Sequence, residues 1–284
     1  MMKKRVILYG IAAVLAGVVA ADLISGGRLI RLPDGENETY RRFARINAEL
    51  VRAGTARVTF TATMIPGGAW AGTSAVRFGE TPVWDTSYDR ATVGDGTAPM
   101  RRLHLDERTE YLSSPALRPA DERAWIDPDV TSVTFGPISS PRTGVADVTT
   151  WLRFLGGVDR AHALQAKHDL PDVPGAPHEF LFRCFATVAQ CPPPYETELD
   201  DAFNTSQATD LRVWLDDDGR LRRLGVFAVL DHLEADGSRD VRDLSHPIVA
   251  STVEATFDLR DFGIPVLVAA PPRAEVSTER YLKV

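Results

Sequence analysis

The chain has only two cysteines in 284 residues, Cys184 and Cys191, seven positions apart. No histidine stands at ligand spacing from either, which excludes a zinc site built on the pair. In an oxidising compartment the two would close a small local disulfide contributing about 2 kcal/mol; the alternative is two unlinked thiols. The six histidines, His104, His162, His168, His178, His232 and His246, form no His-Glu-x-x-His or comparable pattern and read as surface or packed residues. A phosphate-cradling glycine loop and a dinucleotide fingerprint are missing too, so no cofactor is expected. The nearest approach to a nucleophile elbow, Gly72-Thr73-Ser74-Ala75-Val76, lacks the second glycine that its tight turn needs. The run Asp216-Asp217-Asp218-Gly219 resembles part of a calcium loop. Aligning Gly219 with the required glycine, however, puts Trp214 at the first ligand position and Gly225 where a bidentate glutamate belongs. That run reads as a turn, and the chain as a protein that is not an enzyme.

Positive charge is also scarce, with 32 Lys and Arg against 39 Asp and Glu, a formal net charge of −7. Setting aside the basic cluster Lys3-Lys4-Arg5 brings the body to about −10. An acidic body of this kind disfavours nucleic acid and anionic lipid surfaces. The same basic cluster precedes an apolar run from Val6 to Ala21 that Asp22 breaks, the pattern of an export signal. Its sixteen residues are short for a membrane span. Small residues at Val19 and Ala21 suit cleavage by a signal peptidase, while Leu23, Ile24 and Leu29-Ile30 would extend the segment into a retained anchor. Either way residues 1–24 carry the rest out of the cytoplasm, secreted or held at the cytoplasmic membrane. Leu15-Ala16-Gly17 begins like a lipobox, but Val18 occupies the place of the cysteine that would be acylated.

Residues 25–37 mix glycine, proline and charge and read as a linker. A body over 38–276 and a tail over 277–284 follow. Tyr40, Phe43, Ala44, Ile46, Leu50 and Val51 recur at helical spacing, with Gly54 at the expected stop. From Ala56 the period changes to two: Val58, Phe60, Ala62 and Met64 alternate with Arg57, Thr59, Thr61 and Thr63. Short strands are expected over 73–78, 83–88, 100–105 and 108–113, the rhythm of an antiparallel meander, with 124–126 as one more piece inside a proline- and glycine-rich stretch. Val148, Trp151, Leu152 and Leu155 mark a second helix, with Asp147 at its N-cap and Gly156-Gly157 at its end. Residues 162–168 fit either a helical turn or a strand. Strands return over 180–185, 211–215, 221–230 and 249–259, the second and third joined as a hairpin by Asp216–Gly219.

One feature carries functional weight. Val58, Phe60, Met64, Val76, Phe78, Leu103 and Leu105, continued by Val226, Val253, Ala255 and Phe257, form one apolar side of a sheet that must be covered. The two helices, with Trp151 and Leu155 on the second, are the covers. Packed tightly, that face is plain core; held apart, it encloses a cavity suited to acyl chains.

Several segments resemble exported actinobacterial proteins of the LppX/LprG/LolA type. They are the first helix ending in Val51-Arg52-Ala53-Gly54-Thr55-Ala56-Arg57-Val58-Thr59, the helix around Trp151-Leu152-Arg153-Phe154-Leu155, and Leu211-Arg212-Val213-Trp214-Leu215-Asp216 with Asp218-Gly219-Arg220-Leu221-Arg222-Arg223. The ending is similar as well, in Phe257-Asp258-Leu259-Arg260-Asp261-Phe262-Gly263-Ile264-Pro265-Val266 and Ala270-Pro271-Pro272. The resemblance implies an α+β, mostly β fold: a curved antiparallel half-barrel whose concave face is covered by helices and holds lipid or acyl chains. It supplies no catalytic residues. The absent cysteine at position 18, and the Cys184/Cys191 pair with Pro192-Pro193-Pro194 after it, depart from that group. A membrane-tethered sensory or protein-binding module without lipid cargo is the alternative reading, its partner a protein of the envelope.

Overall fold

Alternating apolar and hydroxylated residues lay the chain out as strands, and the computed structural model pairs them all into a single sheet. The structure describes residues 45–65, 68–93, 96–106, 109–128, 145–156, 164–166, 173–185, 208–230, 251–279 and 282, all within one compact unit, Ala44–Val284. The elements are α1 (Ile46–Ala53), β1 (Thr55–Ile65), β2 (Gly68–Arg77), β3 (Val83–Val93), β4 (Gly96–His104), β5 (Glu110–Ser113), α2 (Val148–Gly156), β6 (Leu164–Ala166), β7 (His178–Phe185), β8 (Ala208–Leu215), β9 (Leu221–Leu230) and β10 (Ser251–Arg260). The ten strands lie in the order β5-β4-β3-β2-β1-β10-β9-β8-β7-β6, every pairing antiparallel. Two meanders therefore run outward from the centre, zipped together by β1 and β10. Among the described residues β5 and β6 do not meet, so the sheet is an open half-barrel of the α+β, mostly β class.

Register sorts the side chains. Residues directly opposite one another across a sheet share a face. Val58 stands opposite Leu259, Phe60 opposite Phe257 and Ala62 opposite Ala255; β9 adds Leu224, Val226 and Ala228, and β8 adds Leu211 and Val213. All of these are buried. Intervening positions such as Arg57, Thr61, Arg212 and Glu254 are exposed on the outer face.

Strand β2 begins at Gly68 rather than near Thr73, and β3 continues past Tyr88 to Val93 through a bulge at residues 89–90. The glycines and alanines of 68–72 are weak strand formers on their own; pairing with β1 on one side and β3 on the other holds them extended. Gly72 is a place where only glycine fits. A Cβ there would lie 2.1 Å from the backbone oxygen of Ser87 and 2.8 Å from the Cα of Tyr88, at an irregularity in the β2–β3 register. Gly72→Ala must push two strands apart. We expect it to lower the urea midpoint by the equivalent of about 3 kcal/mol, the upper part of the overpacking range. A midpoint matching the unsubstituted chain would show that the bulge yields freely.

Helix α1 ends where expected: Gly54 takes φ 77°, and its N–H donates to Leu50 O and Val51 O. Ile46 and Leu50 are buried, but Val51, expected on the apolar side, is 51% exposed. Residues 38–44 of the expected helix lie outside the described residues. Asp147 caps α2 as anticipated, its Oδ1 accepting from the Thr149 N–H and hydroxyl. Residues 164–166 are a strand, which resolves the ambiguity over 162–168. Trp125-Ile126 forms isolated bridges to Val276 and Leu112, and Pro119 bridges to Leu282, so the end of the chain is paired along the β5 edge. Cys191 of the expected bridge and the whole N-terminal segment lie outside the described residues.

Candidate functional site

The inner face of the sheet is two surfaces side by side. Across β1, β10, β9 and β8 its buried positions are all apolar. Toward β5 the inward positions turn polar: the row through Val58 continues into Ser74, Thr86 and Arg102, and the next into Val76, Trp84, His104 and Glu110. Ser74 and Thr86 satisfy one another at 2.8 Å. Both helices lie on the inner side of the sheet, and α2 is tied to its polar part. Asp147 at the start of α2 reaches Arg102 at 3.4 Å, and Asn47 of α1 donates to Leu152 O of α2 at 3.3 Å.

Arg102 is the hub. Its Nε and Nη2 donate to one oxygen of Glu110 at 2.9 and 2.5 Å, and His104 Nδ1 lies 3.1 Å from the same oxygen. The Tyr88 hydroxyl lies beside the same guanidinium and interacts with it electrostatically. The imidazole of His104 stacks on Trp84, centroids 3.7 Å apart. Side-chain exposures of 3% for Arg102, 7% for Glu110 and 6% for Asp147 make this a buried charge cluster rather than a surface ion pair. It fastens the helix cover to the sheet.

Burial alone would lower the basicity of Arg102, but Glu110, Tyr88 and Asp147 outweigh it and hold the guanidinium charged well above its ordinary range. Burial alone would raise Glu110; Arg102 and His104 outweigh it and hold the carboxyl below its ordinary 4.5. Burial raises Tyr88, which stays a neutral phenol. Since the folded-state value of Glu110 is depressed, its contribution is complete above pH 4.5 and is lost as the pH falls through that depressed value. The urea midpoint should therefore drop in the acid range, and Glu110→Gln should flatten that limb; equal acid slopes for the two proteins would contradict the assignment.

Of the residues singled out from sequence, Val58, Phe60, Val76, Val226, Val253 and Phe257 come together on the inner face, none more than 5% exposed. Phe60 packs against Phe257 at 6.4 Å and edge-on to Tyr88 at 5.3 Å. Trp151 of α2 is fully buried, and its indole N–H donates to Val145 O at 3.0 Å. Met64 is half-buried on the inner face, and Phe78 and Leu105, half-buried, lie just beyond β2 and β4. Leu103 stands apart: its partners Asp85 and Tyr111 place it on the outer face, because the alternation of β4 turns Arg102 and His104 inward instead. The side chain of Leu155 lies outside the described residues. Sequence reasoning missed Arg102, Glu110 and Asp147 as a unit. The only local signal was parity, since Met100, Arg102 and His104 alternate on one side of β4.

Two clefts are lined wholly by described residues, and the larger reaches the inner face at Tyr88 and Met100. One, of about 760 Å³, lies at the β3–β5 end beneath residues 114–124; the other, of about 390 Å³, lies on the outer face around Gly225. Asp216 meanwhile acts as the keystone of its hairpin, accepting from the Arg220 N–H at 2.9 Å and from Arg220 Nε at 3.0 Å.

Fold and site together define a class: open antiparallel half-barrels whose inner face is covered by helices. No family model matches the chain, and no curated protein matches it. Among solved structures it is similar to LprF from Mycobacterium bovis, with 12% identity and a TM-score of 0.37 over 83% of this chain and 97% of that one. It is similar also to a domain named for outer-membrane lipoprotein sorting from Vibrio parahaemolyticus, with 12% identity and a TM-score of 0.31 over 79% and 92%. A LolA superfamily protein from Nitrosomonas europaea aligns with 7% identity and a TM-score of 0.25 over 78% and 94%.

Proposed function

We propose that this protein is a non-enzymatic lipid-binding carrier of the cell envelope that holds acyl chains against the apolar inner face of its sheet. The observation that supports this reading most is the row of buried apolar side chains on the inner face of β1, β10, β9 and β8, on a side of the sheet covered by helices instead of a second sheet. Helices can repack over a guest chain without breaking backbone ladders, whereas a facing sheet cannot. Val58, Phe60, Met64, Val76, Val226, Val253 and Phe257, with Trp151 and Leu155 from α2, are the residues we assign to contact with the chains. The body spans 38–276. Residues 1–24 direct it out of the cytoplasm as a signal peptide or retained anchor, and 25–37 link the two. Outside the cell Cys184 and Cys191 form a disulfide.

Native mass spectrometry of the body purified from its natural host should show a lipid adduct, and the delipidated protein should take up fluorescent acyl lipids saturably. A homogeneous apo mass together with no uptake would overturn the carrier reading.

One observation favours a second reading. Phe257 and Trp151 are fully excluded from solvent and Phe60 nearly so, as in a solid core. On that reading the half-barrel is a membrane-tethered module that docks a protein partner. Crosslinking in cells would then trap a protein, and removing residues 1–35 would leave a stable, lipid-free monomer.

A further inference from the structure

The strand β9 has a gap in its outer face. One row there runs through Thr61, Thr256, Gly225 and Arg212, and the next through Thr63, Glu254 and Phe227. Every position but 225 carries a side chain beyond Cα, and the result is the hollow of about 390 Å³, within the roughly 300–1,000 Å³ span of small-molecule sites. Glycine inside a strand commonly marks close approach of a ligand or another chain. A Cβ at 225 would stand 3.3 Å from Arg212 Cβ and 3.5 Å from Trp214 Cζ3, so the indole borders the hollow. Phe227, one turn of the pleat further along, is 36% exposed.

The polar groups around the hollow limit what it can hold. Arg223 donates to Asp258 through Nε at 2.5 Å and Nη2 at 3.0 Å, and its guanidinium lies 5.9 Å from the Trp214 ring centroid, so these two charges cancel. Arg212 and Glu254 are exposed and form no ion pair with any described residue. One is a pure donor and the other a pure acceptor, while Thr61, Thr63 and Thr256 can serve as either. With charges of both signs the hollow favours neither an anion nor a cation. Its hydroxyl and charged walls are too polar for an acyl chain.

A ligand that fits has an apolar face to lie on the Phe227 ring, the one exposed aromatic among the described residues lining the hollow, and a rim of hydroxyls to meet donors and acceptors at once. We infer that this hollow is a carbohydrate-binding site for a neutral sugar ring. The ring stacks on Phe227 beside Trp214, and adjacent hydroxyls bond Arg212 and Glu254. The site is on the face opposite the proposed lipid surface and stands independently of it.

The test is titration of the full chain with maltotriose, chitotriose and mannotriose, followed by calorimetry and tryptophan fluorescence. At least one trisaccharide should bind saturably. Phe227→Ala and Arg212→Ala, both at exposed positions, should each weaken it by about tenfold or more with an unchanged circular dichroism spectrum. Gly225→Val, which fills the hollow, should abolish it. Cyclohexylmethanol, a ring of similar size without the hydroxyl rim, should not bind. The inference is overturned if none of the three sugars binds, if the two exposed variants bind as the parent does, or if cyclohexylmethanol binds equally well.

Discussion

Arg102→Met should destabilise the protein by about 3–5 kcal/mol, the largest single effect expected of a charge substitution in this chain. The methionine fills most of the volume and cannot answer either carboxylate, so Glu110 and Asp147 are left buried at 7% and 6% side-chain exposure without a cation. Two consequences separate this from simple loss of packing. Adding Glu110→Gln to Arg102→Met should recover part of the loss, because an amide tolerates that environment better than an unpaired carboxylate. Arg102→Lys keeps the charge but gives up the two donors aimed at one oxygen of Glu110, and should fall between parent and methionine. Urea unfolding at neutral pH measures all three. A methionine variant within about 1 kcal/mol of the parent would mean that the cluster is ordinary surface pairing, the usual worth of exposed ion pairs.

Trp151→Ala should cost a similar 3–5 kcal/mol by cavity formation at a position with no exposure. Trp151→Phe divides that sum. It retains an aromatic ring at the buried position but removes the indole N–H that Val145 O receives at 3.0 Å, so it should cost about 1–3 kcal/mol, the price of an unsatisfied buried carbonyl. If alanine and phenylalanine variants unfold at the same urea concentration, ring burial contributes nothing and α2 is held by its other contacts, among them Asp147 to Arg102 and Asn47 to Leu152. If instead alanine is tolerated and lipid restores its midpoint, the vacated space is being filled by a guest, since a ligand bound only to the native state stabilises it by mass action.

The parts of the fold legible in sequence are those with a local cause. Asp147 and the spacing of Val148, Trp151 and Leu152 mark α2, because capping and the helical period act within a few residues. Gly54 ends α1 for the same reason, and Asp216–Gly219 turns β8 into β9. The alternation of β1 and β10 shows their apolar sides. The first half of β2 was not legible, since Gly68, Ala69 and Gly72 have little strand preference until neighbours pair with them. Leu103 looked like a member of the apolar face for a related reason: one slip in the assumed parity of a strand reverses every side chain on it.

The amino-acid sequence by itself determined most of the strands and both helices and that the sheet has one greasy side, because period, capping and turn chemistry operate over a handful of bonds. Only the tertiary structure decided that β1 lies against β10, where Thr63 and Glu254 meet across 191 positions of sequence. It alone brought Arg102, Glu110 and Asp147 into one buried cluster and set Gly225 beside Trp214 and Arg212. Asp147 lies 45 positions from Arg102 and is brought there by burial of the whole face, while the nearer partners depend on strand register, which the pattern of residue types does not fix.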